Sequence, residues 1–563
     1  MMIAIRHFDS ILEALDGGIQ DLPFITMSHA GSSPPSTTCT FAEFLASAEA
    51  FAHLFQSHGI QRGDRIVLIM EQDVPLMASF VGAMLLGAVP TILAFPTFKI
   101  DPSKYRSGLH GVTRNIGARL VAIDAQFPED LKAQIALTRD TEVIQTSEPP
   151  RPAPSKIKWA NPSPDDVAFI QHSAGTTGLQ KGVALSHAAV LNQLRHLAER
   201  LQLREEDRIV SWLPLYHDMG LIACFILPLL FRVHIVMQSP TDWVLRPASM
   251  LQLASDFRCT LCWIPNFAFQ FLAQRVTDED KAGLKLDSLR AVINCSEPVR
   301  TQSMQAFYDA YQTCGVSWTA LHSSYAMAEN TFAVTQTTIG ESVPVRTIWA
   351  DRSAFQSHSL IEARKPEDDA AVPFASSGRC LSNNSVRIVS ADGSELEDGR
   401  VGEIAVHSDS MFDGYFNRPD LSEEVLKDEW YFTRDVGFIL DGHVFVVGRK
   451  DDVIIIGGRN FYPQDIEEIV SRHSAIHAGR TVAFGLYSEE MGTNDLMIIA
   501  EVNDPAILVQ RIEIEAEIRR SVVAEIGATP KRVHVVPPKW IIKSSAGKPA
   551  RSATREKFLS ENS

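Results

Sequence analysis

Cysteine is scarce and odd in number: seven in 563 residues, at Cys39, Cys224, Cys259, Cys262, Cys295, Cys314 and Cys380. That excludes a disulfide framework and suits free thiols in a reducing compartment. The single C-x-x-C, "CTLC" at 259–262, has no second pair or histidine cluster beside it and reads as buried strand rather than a metal or redox site. Basic charge is in deficit, with 52 Lys and Arg against 68 Asp and Glu and a net charge of −16, which argues against a broad nucleic-acid footprint. A local anion site is still compatible with that balance. An unbroken apolar run is missing too: Met77 to Phe95 is uncharged, but Gly87, Ala88 and Pro90 split it, so it reads as a buried helix followed by the strand "VPTIL". Leu221 to Met237 carries Arg232 and His234 and is weaker still. The first residues, "MMIAIRHFDSILEALDGG", intersperse charge among the hydrophobes and hold no signal-peptide core, so a cytoplasmic location is expected. No internal repeat is visible.

What is present is an ordinary globular composition, 45% hydrophobic and 21% charged, in a chain long enough for two to four domains or subdomains. Through the first 300 residues or so, short apolar runs alternate with helical patterns: "RIVLIM" (65–70), "RLVAI" (119–123), "VAFI" (167–170), "RIVSWL" (208–213) and "LRAVIN" (289–294), with "SHAAVLNQLRHLAERL" (186–201) as a clear helix. Strands spaced by helices predict parallel sheet with crossover helices. After about residue 380, polar turns such as "ADGSELEDGRVGEI" and "LDGHVFVVG" separate short alternating strands, which predicts an antiparallel, barrel-like subdomain. The polar, poorly periodic segment 346–374 reads as an insertion or loop. Beyond "GRKDD" (448–452) a compact α+β module follows, with "RIEIEAEIRRSVVAEIG" as its amphipathic helix. The fold class expected is α/β: a large domain over 1–448, made of two parallel or mixed α/β subdomains and a small β-barrel-like one, then a small mobile domain over 449–563.

The chemistry gathers first at Gln171 to Val183, "QHSAGTTGLQKGV". A loop of Gly, Ser and Thr presents backbone N–H groups and hydroxyls to anionic oxygens, and Lys181 offsets charge. It is no P-loop: counted from Gly175 the sixth residue is Gln180 rather than Gly, and Gly182 rather than Ser or Thr follows the lysine. Its place, after the strand "VAFI" and before a helix, is where α/β folds put ligands.

The stretch resembles the hallmark of the acyl-adenylate-forming superfamily, Ser/Thr-Ser/Gly-Gly-Ser/Thr-Thr-Gly-x-Pro-Lys-Gly, with Ala174 and Gln180 departing from it. Four further motifs resemble that superfamily's in the same order: "YAMAE" (325–329), "YFTRD" (431–435), "VGRKDDVIIIGGRNFYPQDIE" (447–467) and "SSAGKPAR" (544–551). Within it, "SWLPLYHDMGLI" (211–222), "WIPNFAF" (263–269), "CSEPV" (295–299) and "GRNFYPQDIE" (458–467) look most like fatty acyl-AMP ligases, and the insertion at 346–374 falls where those ligases carry one.

The resemblance implies ATP-dependent activation of a fatty acid to a fatty acyl-adenylate with release of pyrophosphate, then transfer to the phosphopantetheine arm of an acyl carrier protein, as in polyketide or lipopeptide assembly. It implies Lys548, His217 and Glu329 as catalytic residues. The ATP or AMP site it implies comprises Ser173, Gly175, Thr176, Thr177, Gly178, Lys181, Ser296, Glu297, Pro298, Ser324, Tyr325, Ala326, Met327, Asp435 and Arg449. Thr176 and Glu329 would hold Mg²⁺, with ATP and Mg²⁺ as the cofactors; Lys450 and Asp451 would form the hinge, and Met219, Phe267 and Phe269 the acyl pocket. Two departures stand out: Arg434 replaces the Gly of Thr-Gly-Asp and Ala326 that of Tyr-Gly-x-Thr/Ala-Glu, while "NCSEPV" stands where a Gly-rich stretch lies near the adenine. Side chains there are costly if the backbone needs positive φ. A fatty acyl-CoA synthetase is the nearest rival reading. A non-catalytic relative that senses acyl chains or adenylates is another, and a membrane-anchored protein, resting on residues 77–95 alone, a third.

Overall fold

The structure is a computed structural model describing residues 3, 6–16, 21–32, 36–96, 102–146, 148, 150, 157–173, 181–343, 345–489, 491–543 and 549–562. The central layer is a nine-stranded sheet. Its strands run in the order Arg379–Cys380, Ala333–Gln336, Leu321–Ala326, Ala291–Cys295, Leu261–Pro265, Arg208–Ser211, His234–Gln238, Pro23–Ser28, Ser36–Thr40. Pairing is parallel from Leu321–Ala326 through to Pro23–Ser28 and antiparallel at both edges. Middle strands such as "LCWIP" and "AVINC" are buried along their whole length, because helices cover both faces of a parallel sheet. Cys259 and Cys262 lie buried at this level as free thiols, as a strand reading requires.

A second, four-stranded parallel sheet pairs Val89–Ile92, Arg65–Ile69, Leu120–Ile123 and Glu142–Gln145 in that order. The uncharged run beginning at Met77 is divided here between the helix Val74–Leu85, N-capped by Asp73 with Pro75 in its first turn, and the strand Val89–Ile92. Among the described residues no helix is long and apolar enough to cross a membrane. Helix α1 (Pro102–Ile116) makes the next crossover. Strands β1 (Val167–Ser173) and β2 (Lys181–Ser186) form an antiparallel hairpin, and Phe416 donates its backbone N–H to the Gly182 carbonyl at 2.7 Å.

The segment 346–374 is not the loop that its polarity suggests. Thr347–Asp351 pairs antiparallel with Ala371–Ala375, and the helix Arg352–His358, N-capped by Asp351, connects them. Its few apolar residues converge: Phe355 and Phe374 share a core with Phe438, Phe445 and Tyr462. Beside it lies a five-stranded antiparallel sheet of Asn384–Val389, Gly402–Ser408, Leu426–Lys427, β3 (Trp430–Leu440) and β4 (His443–Arg449). The C-terminal module has a core of its own, from Ile454 to Val535. It packs α2 (Pro463–Ser471) and the helix Arg511–Ile526, ended by Gly527 at φ +72°, on the strands Ile476–Ser488, Thr493–Val502 and Pro530–Val536.

Candidate active site

A cleft of about 3780 Å³ runs between the sheets and the C-terminal module. On one wall the β3–β4 pairing sets Asp435 directly opposite Arg449, and Arg449 Nε lies 3.2 Å from Asp435 Oδ1. Tyr325, at the end of the strand Leu321–Ala326, donates its phenol to the other oxygen, Oδ2, at 2.6 Å. Burial pushes the Asp435 carboxyl up, and Arg449 and the Tyr325 hydrogen bond oppose that rise. The Tyr325 phenol is raised far beyond its usual range, first by burial and then by the Asp435 charge. The cluster is a carboxylate with one fixed hydroxyl and one cation, built to hold a hydrogen-bonding partner.

Beside it, Glu329 sits buried in the turn Ala328–Asn330. Its Oε1 accepts from the Tyr415 phenol at 2.7 Å, while Oε2 makes no hydrogen bond among the described residues. Tyr431 lies 3.4 Å from Tyr415, oxygen to oxygen, and Lys181 Nζ stands 4.6 Å from the centre of the Tyr415 ring. A row of Lys181, Tyr415, Glu329, Tyr431 and Asp435 therefore lines one side. Tyr415 carries no motif signal beyond the aromatic pair in "GYFNRPD", and only the fold brings it to Glu329.

The opposite wall is apolar. Trp212 and Trp243 stack at 3.7 Å, Phe267 meets both edge-on at 6.5 and 6.2 Å, and Phe271 lies 5.4 Å from Trp243. All four line the cleft, and of these the sequence pointed to Phe267 alone. Phe269 instead is fully buried against Phe307, in the core behind this wall. Met219 is also buried, one layer back, with Ser296 donating to its sulfur at 3.6 Å. His217 lines the cleft; its Nδ1 lies 2.6 Å from the Asp218 carboxylate without the alignment of a hydrogen bond, leaving that ring nitrogen without a partner. The Asp218 carboxylate accepts from the Met219 N–H at 2.7 Å, capping the π-helix Met219–Ile226. In "HDMG", Gly220 presses on the Pro214 carbonyl so closely that a Cβ would lie 2.2 Å from its oxygen, so no other residue fits.

Ser296, Glu297, Pro298, Ser324, Ala326 and Met327 line the cleft near Tyr325. Glu297 accepts from the Phe267 N–H at 2.9 Å, and Ser324 donates its hydroxyl to the Thr335 carbonyl at 2.8 Å. Arg434 and Ser296 have φ +62° and +70°, a conformation that favours glycine; Ala326 does not share it. Gly175, Thr176, Thr177, Gly178 and Lys548 lie outside the described residues, as does the Ser173 side chain. Their neighbours Lys181 and Pro549 line the cleft. In the turn after β4, Lys450 pairs with Glu403 at 2.7 Å and Asp451 with Arg434, while Asp452 turns the other way, to Arg551.

The family model for AMP-binding enzymes matches residues 25–416. The chain is 29% identical to the long-chain-fatty-acid--AMP ligase FadD32 of Mycolicibacterium smegmatis, over 92% of this chain and 89% of that one. It is equally 29% identical to the medium-chain-fatty-acid--[acyl-carrier-protein] ligase JamA of Moorena producens, over 92% and 90%. A solved structure from a study of fatty acyl-adenylate ligases of E. coli and L. pneumophila superposes with a TM-score of 0.90 at 25% identity, covering 100% of this chain and 99% of that one.

Proposed function

The chain belongs to the family of AMP-binding enzymes, and from that premise we propose that it is a fatty acyl-AMP ligase. It joins a fatty acid to the AMP portion of ATP, releases pyrophosphate, and passes the acyl group to the phosphopantetheine thiol of an acyl carrier protein. The observation that supports this most is the whole-chain likeness to fatty acyl-adenylate ligases, joined to a cleft with a charged, hydroxyl-bearing wall facing an aromatic one.

Asp435, held by Tyr325 and Arg449, takes the ribose hydroxyls in this reading, and Ser296 to Pro298 with Ser324 to Met327 frame the base. The fatty carboxylate enters past His217, which lines the cleft beside Asp218, and the acyl chain lies along Trp212, Trp243 and Phe267. The carboxylate oxygen attacks the α-phosphorus, the bond to the bridging oxygen breaks, and pyrophosphate leaves. Lys548 and Lys181 counter the charge that builds there, together with the N–H groups of the Gly-rich loop. Oε2 of Glu329, which makes no hydrogen bond among the described residues, is the protein oxygen that would hold a Mg²⁺ accompanying the nucleotide. A cation held there would offset phosphate charge.

The small domain, 449–563, turns about Lys450 and Asp451 between the two half-reactions. The inserted unit over 346–374 packs against it: Phe355 stacks on Tyr462 at 5.4 Å, Gln356 accepts from Arg459, and the Glu525 carbonyl accepts from Arg352. This contact restrains the rotation that would admit free coenzyme A. The test is pyrophosphate release and acyl-adenylate formation over a panel of fatty acids, repeated with coenzyme A and with a holo carrier protein. Adenylate that discharges to the carrier but not to coenzyme A is expected; efficient acyl-CoA synthesis overturns the reading.

A further inference from the structure

One lobe of the cleft gathers positive and imidazole groups in a protein that is otherwise strongly acidic. Asn115, at the end of α1, donates to the Phe416 carbonyl at 3.0 Å, and Asn417 donates back to the Asn115 carbonyl at 2.7 Å. The Phe416 N–H in turn is bound to Gly182, the residue after Lys181 and the cross-strand partner of His172. These bonds fasten the C-terminal turn of α1 beside the β1–β2 hairpin. His110 and Arg114, four apart and so on one face of α1, line the cleft there together with His172 and Lys181.

None of the first three is used by the fold. The Arg114 guanidinium and the His110 ring have no hydrogen-bond or ion-pair partner among the described residues. His172 is only 6% exposed, yet neither ring nitrogen has a partner. A buried N–H left unpaired is costly, and that cost is recovered when an acceptor arrives. Arg418, the next cation along, is already spent on Asp420 at 2.7 Å. Burial keeps the His172 ring uncharged, with a pKa lowered to about 4, so it meets a ligand as a neutral donor.

We propose that His110, Arg114, His172 and Lys181 form a receiving site for an oligophosphate anion, the pyrophosphate expelled when the acyl-adenylate forms. This rests on the ligase reading and adds a leaving-group site on the α1 side. Arg114 is its principal new contact, since its planar fork matches phosphate oxygens.

The test uses the full chain and Mg-pyrophosphate, with affinity read by calorimetry. Arg114→Gln is exposed and unbonded in the parent, so the variant folds. Its pyrophosphate dissociation constant should rise about tenfold or more, by the loss of a charged hydrogen bond, and Arg114→Lys should recover part of it. AMP affinity should not change. Product inhibition by pyrophosphate should weaken in parallel. Unchanged pyrophosphate affinity in Arg114→Gln, or no binding by the parent, overturns the site. So does slower transfer of preformed acyl-adenylate to holo carrier with pyrophosphate binding intact, which would assign Arg114 to the phosphopantetheine phosphate. If no fatty acid is adenylated while Arg114-dependent pyrophosphate binding persists, the ligase reading fails and the anion site stands.

Discussion

Arg434 closes on Asp451. The arginine stands at φ +62°, a conformation that L side chains adopt at a cost, and its Nε donates to Asp451 Oδ2 at 2.9 Å while Nη1 reaches Glu424 at 3.1 Å. Its own N–H is bound by Glu403, the carboxylate that also holds Lys450. The side chain at a position suited to glycine thus joins the wall of the cleft to Asp451, in the segment proposed as the hinge.

Replacing it tests that link. Arg434→Gly removes an αL penalty of about 1–2 kcal/mol and, with it, a half-exposed ion pair worth ~1 kcal/mol or less. Melting temperature should therefore stay level or rise, while protease nicking near Lys450 becomes faster. In the parent, nicking should increase with salt; in the variant that salt dependence should vanish. Equal nicking rates in parent and variant at low salt would show that Arg434 does not restrain the hinge.

Asp435→Ala leaves the Tyr325 phenol and Arg449 without their acceptor and removes the proposed ribose contact. ATP affinity should fall by roughly 1.5–3 kcal/mol, about ten- to a hundredfold, with fatty-acid binding unaltered. Calorimetry with each ligand separately decides it, and an unchanged ATP affinity rules the contact out.

Lys548→Ala should reduce adenylate formation on the order of 10²–10³-fold, with ATP binding largely intact, because a charge aimed at the transition state acts on rate more than on ground-state affinity. Pyrophosphate release within a few-fold of the parent removes Lys548 from the chemistry.

Phe355→Ala takes away the ring stacked on Tyr462. If that contact restrains the small domain, the variant should form measurable acyl-CoA where the parent accumulates acyl-adenylate; a bias of about 2.7 kcal/mol already suppresses a rotated state a hundredfold. Acyl-CoA output no greater than the parent's would leave the inserted unit without that role.

Acid should destabilise the fold through buried histidines. His187, His234 and His322 are held uncharged by burial, each with a pKa lowered to about 4, and the Ile11 N–H donates to His187 Nδ1 at 3.2 Å. Above about pH 6.5 these rings are neutral folded or unfolded. Below it the unfolded chain takes up protons that the fold refuses, so stability falls as pH drops from about 6.5 towards 4. His322→Gln should flatten the slope by up to about 1.4 kcal/mol per pH unit. Denaturant midpoints at pH 7 and pH 5 provide the comparison, and an identical slope would contradict it.

The parallel core was legible because a strand buried on both faces is an almost continuous apolar run, as "LCWIP" and "AVINC" are. The inserted unit was not. Ile348, Phe355, Val372 and Phe374 are scattered among charges, and they become a core only by meeting Phe438 and Tyr462, which no local period announces. Trp212, just past the strand Arg208–Ser211, and Trp243, in the helix Pro240–Leu245 that follows His234–Gln238, likewise form one wall only because those two strands pair. Positions with a motif, such as Tyr325 and Asp435, were marked from the sequence, and the fold brings these two into contact; Tyr415, which has none, reaches Glu329 unannounced. Arg434 was singled out as an odd residue, and the positive φ gives the reason, but its bond to Asp451 is a fact of the fold alone.

The core shared by Phe355, Phe374, Phe438 and Tyr462 spans the inserted unit, the antiparallel sheet and the start of the C-terminal module. Evolution by recombination is constrained by such a seam. A C-terminal segment borrowed from a relative would have to bring its own counterpart of Tyr462, matched to the host's phenylalanines, so exchanging that module alone would open the seam.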